Sequence, residues 1–226
     1  MKLKNLVILT SALALLGNGC LRTPTLVKDI SPEKTSSTES GFNKLNFYQE
    51  SYSAEDRANW YGLGWPAACE QEFQEFGMTE DGGLRVYELT NNQYILSITC
   101  SNYAYQSNLV FMLVQTNSQL GSVTGTVQTL QAYNPFTKKL EPILNEDNLA
   151  PIVLGLDYFD AKNKTLAIFT KSRGSGDCGS RGTYKVIDNK ITLIKYEAQS
   201  CEDADKKAVA NPDGELTDWP VLYEKK

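Results

Sequence analysis

The run Lys171-Ser-Arg-Gly-Ser-Gly-Asp-Cys-Gly-Ser-Arg-Gly182 places four glycines, one cysteine, two arginines and an aspartate within twelve residues. Glycine permits positive φ and close approach to the backbone. Successive N–H groups in such a turn form an anion-binding concavity, which Arg173 and Arg181 would reinforce with bidentate donors. Gly174, Gly176, Asp177 and Gly179 complete this candidate binding loop. The other reading, preferred on the residues alone, is a strained turn shaped by Cys178. In it Asp177 accepts backbone amides and both arginines are solvated.

Other chemistry is thinner. The chain has no histidine, which removes Ser-His-Asp and Cys-His catalysis and every imidazole metal site. Ser31-Pro-Glu-Lys34 has the Ser-x-x-Lys spacing of penicillin-recognising enzymes. It lies in a polar stretch with no packed surroundings and no Lys-Thr-Gly companion, so it reads as coincidence. Asp157 with Asp160, and Asp213-Gly-Glu215 with Asp218, fit no EF-hand pattern and read as surface turns. No cofactor or metal is expected. A carboxylate-pair hydrolase of envelope glycans is the enzymatic alternative, although nothing marks a particular pair. Trp60, Tyr61, Trp65, Tyr103 and Tyr105 either line a sugar- or peptide-binding surface or fill a sheet core.

The N-terminus reads as an address. Lys2 and Lys4 precede an apolar run from Leu6 to Leu16, followed by Gly17-Asn-Gly-Cys20. Charged start, short apolar centre and small residues describe a secretory signal over residues 1–19. The apolar run falls well short of the ~20 residues a spanning helix needs. Gly19-Cys20 is similar to a lipoprotein box, with Gly17 where the usual leucine stands, so Cys20 is the expected lipid attachment and the membrane an expected partner. Ordinary secretion after the same cut is the alternative. Acylating Cys20 leaves Cys69, Cys100, Cys178 and Cys201 to pair in an oxidising compartment. The spacings contain no Cys-x-x-Cys, so zinc is not expected.

Residues 20–43 are rich in Ser, Thr and Pro and read as a flexible tether; residues 44–226 read as a single domain. The chain's net charge is −5, and removing Lys2 and Lys4 makes it −7. Such a surface does not attract phosphate backbones, so nucleic acid is excluded as a partner.

The elements that must position these residues are mostly strands. Ser53-Ala-Glu-Asp56 resembles a capping box opening a short helix that carries Trp60. Pro66 suits the first turn of a second helix, with Cys69, Phe73 and Phe76 on one face. Strand patterns then run over 84–89, 94–100, 109–114, 123–130, 152–158, 165–171, 183–187, 190–196 and 219–223. Asn91-Asn92 and Asp188-Asn189 signal tight turns between them. Residues 131–151 contain three prolines and no period, and read as a long loop. The expected fold is mainly β, an antiparallel sandwich- or barrel-like sheet with one or two short N-terminal helices; α+β is the alternative. Four cysteines allow three pairings. Gly83, a hairpin and Cys100 are echoed by Gly182, a hairpin and Cys201, which favours Cys69–Cys100 with Cys178–Cys201.

Arg173-Gly-Ser-Gly-Asp-Cys-Gly-Ser180, Cys201 and Asp218-Trp-Pro-Val-Leu-Tyr223 resemble the C-terminal signature of the bacterial family called "domain of unknown function 1176". Trp65-Pro-Ala-Ala-Cys-Glu70 and Cys100 with Ala104-Tyr-Gln106 resemble its earlier part. The resemblance implies disulfides and an exported or lipid-anchored protein, and brings no activity with it. Together these readings describe an envelope lipoprotein, periplasm-facing or extracellular. Its expected role is a non-enzymatic binding or accessory module for an unknown envelope protein or glycan.

Overall fold

Asp188 and Asn189 take φ of 50° and 56°, the positive pair that a two-residue hairpin needs to match the twist of its strands. The turn joins β9 (Gly179–Ile187) to β10 (Lys190–Gln199); Asn91-Asn92 joins β1 (Leu84–Thr90) to β2 (Gln93–Asn102) without positive φ, beside a register shift between Glu88 and Thr90. The computed structural model describes residues 52–77, 79, 82–117, 119–145, 149–210 and 218–226. The signal segment, Cys20, the tether, Asp213 and Glu215 lie outside the described residues.

The remaining strands are β3 (Ser107–Asn117), β4 (Ser122–Gln128), β5 (Gln131–Asn134), β6 (Lys139–Pro142), β7 (Val153–Asp160), β8 (Thr165–Lys171) and β11 (Val221–Glu224). The fold is mainly β and every ladder is antiparallel. The main sheet has nine strands in the order β1-β2-β3-β7-β8-β9-β10-β11, with β4 also on β3. β3 is the branch point. One edge pairs with β2, while the other gives Ser107–Leu109 to β7 and Phe111–Asn117 to β4. The sheet thus divides into two layers and does not close into a barrel. Residues 131–142, expected as loop, instead form the β5–β6 hairpin. Their prolines sit at its turn and end, where no ladder N–H is required.

Burial follows the period of two. Tyr94, Leu96 and Ile98 lie opposite Val114, Met112 and Val110, and pack with Trp60, Trp65 and Cys69. Ile95, Leu109, Phe111 and Leu113 face the other way, onto Leu166, Ile168 and Leu193. β2 and β3 are therefore covered on both faces, which explains the unbroken apolar run of 109–114. Between the layers, Tyr87 donates to the buried Asp157 at 2.6 Å and stacks on Phe159 at 5.0 Å. Burial, helped by the Asp157 carboxylate, pushes the Tyr87 phenol well above its ordinary range.

Two short helices cover the outer face. In α1 (Ala54–Trp60) the Ser53–Asp56 capping box is complete. α2 (Ala67–Glu72) begins one residue after Pro66, which is its N-cap rather than part of its first turn. Phe73–Gly77 then widens into a π-helical turn. Wider winding carries Phe76 off the buried face, to 68% exposure, and Gly77 takes that place. Arg57, 1% exposed, is held there by Glu70 at 2.9 Å and Gly82 O at 3.1 Å, with its guanidinium over Phe73. A third helix, α3 (Cys201–Ala210), follows β10 and had no counterpart in the sequence reading.

Candidate functional site

The glycine-rich loop joins β8 to β9, and its charges face one another. Arg173 Nε donates to Asp177 Oδ1 at 2.8 Å, Nη2 donates to Asp177 Oδ2, and Nη2 also reaches Asp205 Oδ1 of α3 at 2.7 Å. Ser175 Oγ donates to the same Asp177 oxygen at 2.6 Å. These bonds, Arg173 first and Ser175 next, hold the Asp177 carboxyl well below the usual carboxylate range and push the Arg173 guanidinium up. Arg181 lies outside the turn, on β9. It donates to its cross-strand neighbour Glu197 at 3.0 and 3.2 Å, and Lys195 adds a third donor at 3.0 Å. Burial pushes the Glu197 carboxyl up, but the bonds from Arg181 and Lys195 outweigh it and leave the carboxyl below its ordinary value.

Cys178 shapes the turn through its bridge to Cys201, and each arginine is paired with a carboxylate while its side chain stays 38% (Arg173) or 41% (Arg181) exposed. Asp177 takes side-chain donors from Arg173 and Ser175, while its carbonyl accepts from Gln199 Nε2 at 2.9 Å. Asp177, Asp205 and Glu197 are thus set against Arg173, Arg181 and Lys195.

The loop is braced by a disulfide and by close neighbours. Cys178 bonds Cys201, the first residue of α3, and Cys69 of α2 bonds Cys100 of β2. These are the pairings the echo favoured, and each bridge brackets a hairpin. The glycines of the echo differ, since Gly83 has positive φ and Gly182 does not. At Gly179 φ is 143° and a Cβ would lie 2.1 Å from Thr170 O. A Cβ on Gly174 would come within 2.9 Å of the Tyr105 ring. Gly176 N donates to Arg173 O at 3.0 Å, closing the turn. Gln106 Oε1, from the β2–β3 turn, accepts from Lys171 N at 2.9 Å. Of the aromatic candidates, Trp60 and Trp65 are core, Tyr61 packs edge-on against Trp65, and Tyr103 and Tyr105 are exposed, Tyr105 beside Gly174 of the loop.

The opposite end of β2 and β3 holds a groove of about 640 Å³, walled by Thr90, Gln93, Gln115, Thr116, Ser122 and Thr124 among others. Its named walls are hydroxyls and amides with no Asp, Glu, Lys or Arg. Gln93 and Gln115, neighbours across β2 and β3, both donate to Asn189 Oδ1, at 3.2 and 3.4 Å. That ties the β9–β10 turn to the groove. Sequence reasoning missed this surface. Its signal was the density of Thr, Asn and Gln in Thr90-Asn-Asn-Gln93 and Gln115-Thr-Asn117.

Among the described residues, Asp157 is buried against Tyr87 and Arg85, whereas Asp160 accepts from Lys162 N and Asn163 N in the β7–β8 turn. No group of three or more potential metal ligands converges among the described residues. Family models, curated proteins and solved structures yield no match to this chain.

Proposed function

We propose that the protein is a non-enzymatic binding or accessory module of the bacterial cell envelope, exported by residues 1–19 and lipid-anchored at Cys20. The observation that carries this reading is the distribution of charge. Both arginines of the conspicuous loop are held in ion pairs, while the large groove at the other end is walled by hydroxyls and amides. Hydrolysis by a carboxylate pair needs two carboxylates facing a substrate cleft, and the named groove walls contain none. Two closed disulfides support an oxidising compartment. The resemblance to the "domain of unknown function 1176" family belongs to the same proposal, since it implies disulfides and export.

Incubation with peptidoglycan and envelope glycans is expected to give no turnover, and palmitate labelling is expected to disappear in Cys20→Ser. Turnover that is lost on replacing single Asp or Glu residues by Ala would install the hydrolase instead. Labelling that persists in Cys20→Ser would remove the anchor.

A further inference from the structure

The strand registers line up four polar side chains across four strands. Thr90 of β1 lies opposite Gln93 of β2, Gln93 opposite Gln115 of β3, and Gln115 opposite Thr124 of β4. Neighbouring strands sit about 4.8 Å apart, so the row is roughly 14 Å long. The next rung on the same face, Ile95 with Leu113, belongs to the core shared with Leu166 and Leu193. The second layer reaches only as far as Asn189 of the β9–β10 turn, which touches Gln93 and Gln115. The row therefore lies at the end of the core, as a wall of the groove of about 640 Å³.

The amides here are fixed but only half satisfied. Gln93 and Gln115 both use Nε2 on Asn189, which leaves each Oε1 without a partner among the described residues. Asn92 and Asn117 are held the other way round. Asn92 Oδ1 accepts from Thr90 Oγ1 at 3.0 Å, and Asn117 Oδ1 accepts from Gln119 N and Leu120 N at 3.1 and 3.2 Å. Each keeps its Nδ2 unpaired among the described residues. The hydroxyls of Ser122 and Thr124 on β4 are exposed at the same wall. The groove thus presents two fixed acceptors, two fixed donors and two hydroxyls that do either, all of them uncharged.

This chemistry selects its ligand. An anion meets no cation on the named walls and a cation meets no carboxylate. An apolar ligand would desolvate these groups and give them no partner. A peptide strand binds chiefly through main-chain bonds, yet at this row β2 and β3 each have a paired strand on both edges. A sugar hydroxyl both donates and accepts, so neutral donors interleaved with neutral acceptors match a run of them. We propose that the groove binds a neutral glycan chain, laid along the row across β1 to β4. The inference rests on the binding-module reading and names its ligand's chemistry. Groups already held in place lose little freedom when the ligand arrives.

The test titrates the full-length protein with neutral oligomers of glucose and of N-acetylglucosamine, with oligogalacturonate as the charged control. At least one neutral oligomer is expected to bind, with an affinity indifferent to salt. Thr124→Val and, separately, Gln115→Met should each weaken it about fivefold, the loss of one hydrogen bond. On the native protein, the same oligomer should shift the side-chain amide resonances of Asn92 and Asn117, a readout that survives a variant that fails to fold. Binding by none of the neutral oligomers, or by oligogalacturonate alone, overturns the proposal. So does binding that leaves those resonances unmoved. Phage-displayed peptides that enrich and move the resonances in place of the sugars would make the occupant a polypeptide and overturn it too. If the glycans fail while the protein still captures an envelope partner by crosslinking, the binding-module reading stands without the groove. Turnover of a bound oligomer would remove the non-enzymatic reading and leave the glycan site.

Discussion

The two ends of β2 and β3 are built on opposite plans. At the Cys100 end, a disulfide-braced loop pairs Arg173 with Asp177 and Asp205, and Arg181 with Glu197 on the neighbouring strand. At the Gln93 end, uncharged hydroxyls and amides wall an open groove beside β4, whose second edge has no strand partner among the described residues. The loop is the most conspicuous segment of the sequence, yet its conspicuous residues are occupied with one another. A binding surface needs groups that are fixed in place but not yet satisfied. By that criterion the plainer end is the better candidate.

The comparison can be broken hardest at the disulfides. Replacing Cys178 and Cys201 by Ser opens a bridge spanning 23 residues, which the chain-entropy model values at roughly 3.5 kcal/mol. The unfolding free energy from denaturant titration is expected to fall by that amount. Gln128→Ala sharpens the other end. It strips Ile191 N–H of its acceptor, at a cost of about 1–2 kcal/mol, and exchange of the Ile191 amide in deuterated solvent should accelerate. The smallest effect is a pH dependence at the loop. Asp177 is held below its unfolded value by Arg173 and Ser175. Its stabilising contribution is therefore complete above pH ~4 and disappears as pH falls through the lower folded value. Denaturant titrations between about pH 2 and 5 should show a smaller acid loss in Asp177→Asn than in the native protein.

Much of the fold was legible because its signals are local. Period-two alternation marked β1 and β4, an unbroken apolar run marked β3, and Asp188-Asn189 marked the β9–β10 turn. α3 was missed because it has no apolar stripe, with Ala204 its fully buried residue. Its start was nevertheless written in the chain: Ser200 accepts from Asp203 N at 3.1 Å and donates to the Asp203 carboxylate, the same device as Ser53 and Asp56. Phe76 was misplaced because a π-turn cannot be read from a period of 3.6. The loop arginines were misread because the partners Glu197 and Asp205 lie 16 and 32 residues away. The groove was hidden for a different reason. Thr, Asn and Gln at strand ends are ordinary turn residues, and only the branching of β3 gathers them into one wall.

The order in which the cysteines pair has a consequence for biogenesis. Cys69 joins Cys100 and Cys178 joins Cys201, so each thiol bonds the next one along the chain. A polypeptide that emerges N-terminus first presents Cys69 and Cys100 before the second pair appears. Nearest-neighbour oxidation then reaches the native connectivity without reshuffling. The thiol able to spoil that sequence is Cys20, which emerges earlier still. Acylating Cys20, as proposed for the anchor, would also take the one competing nucleophile out of play, so maturation would require an oxidant but no isomerase.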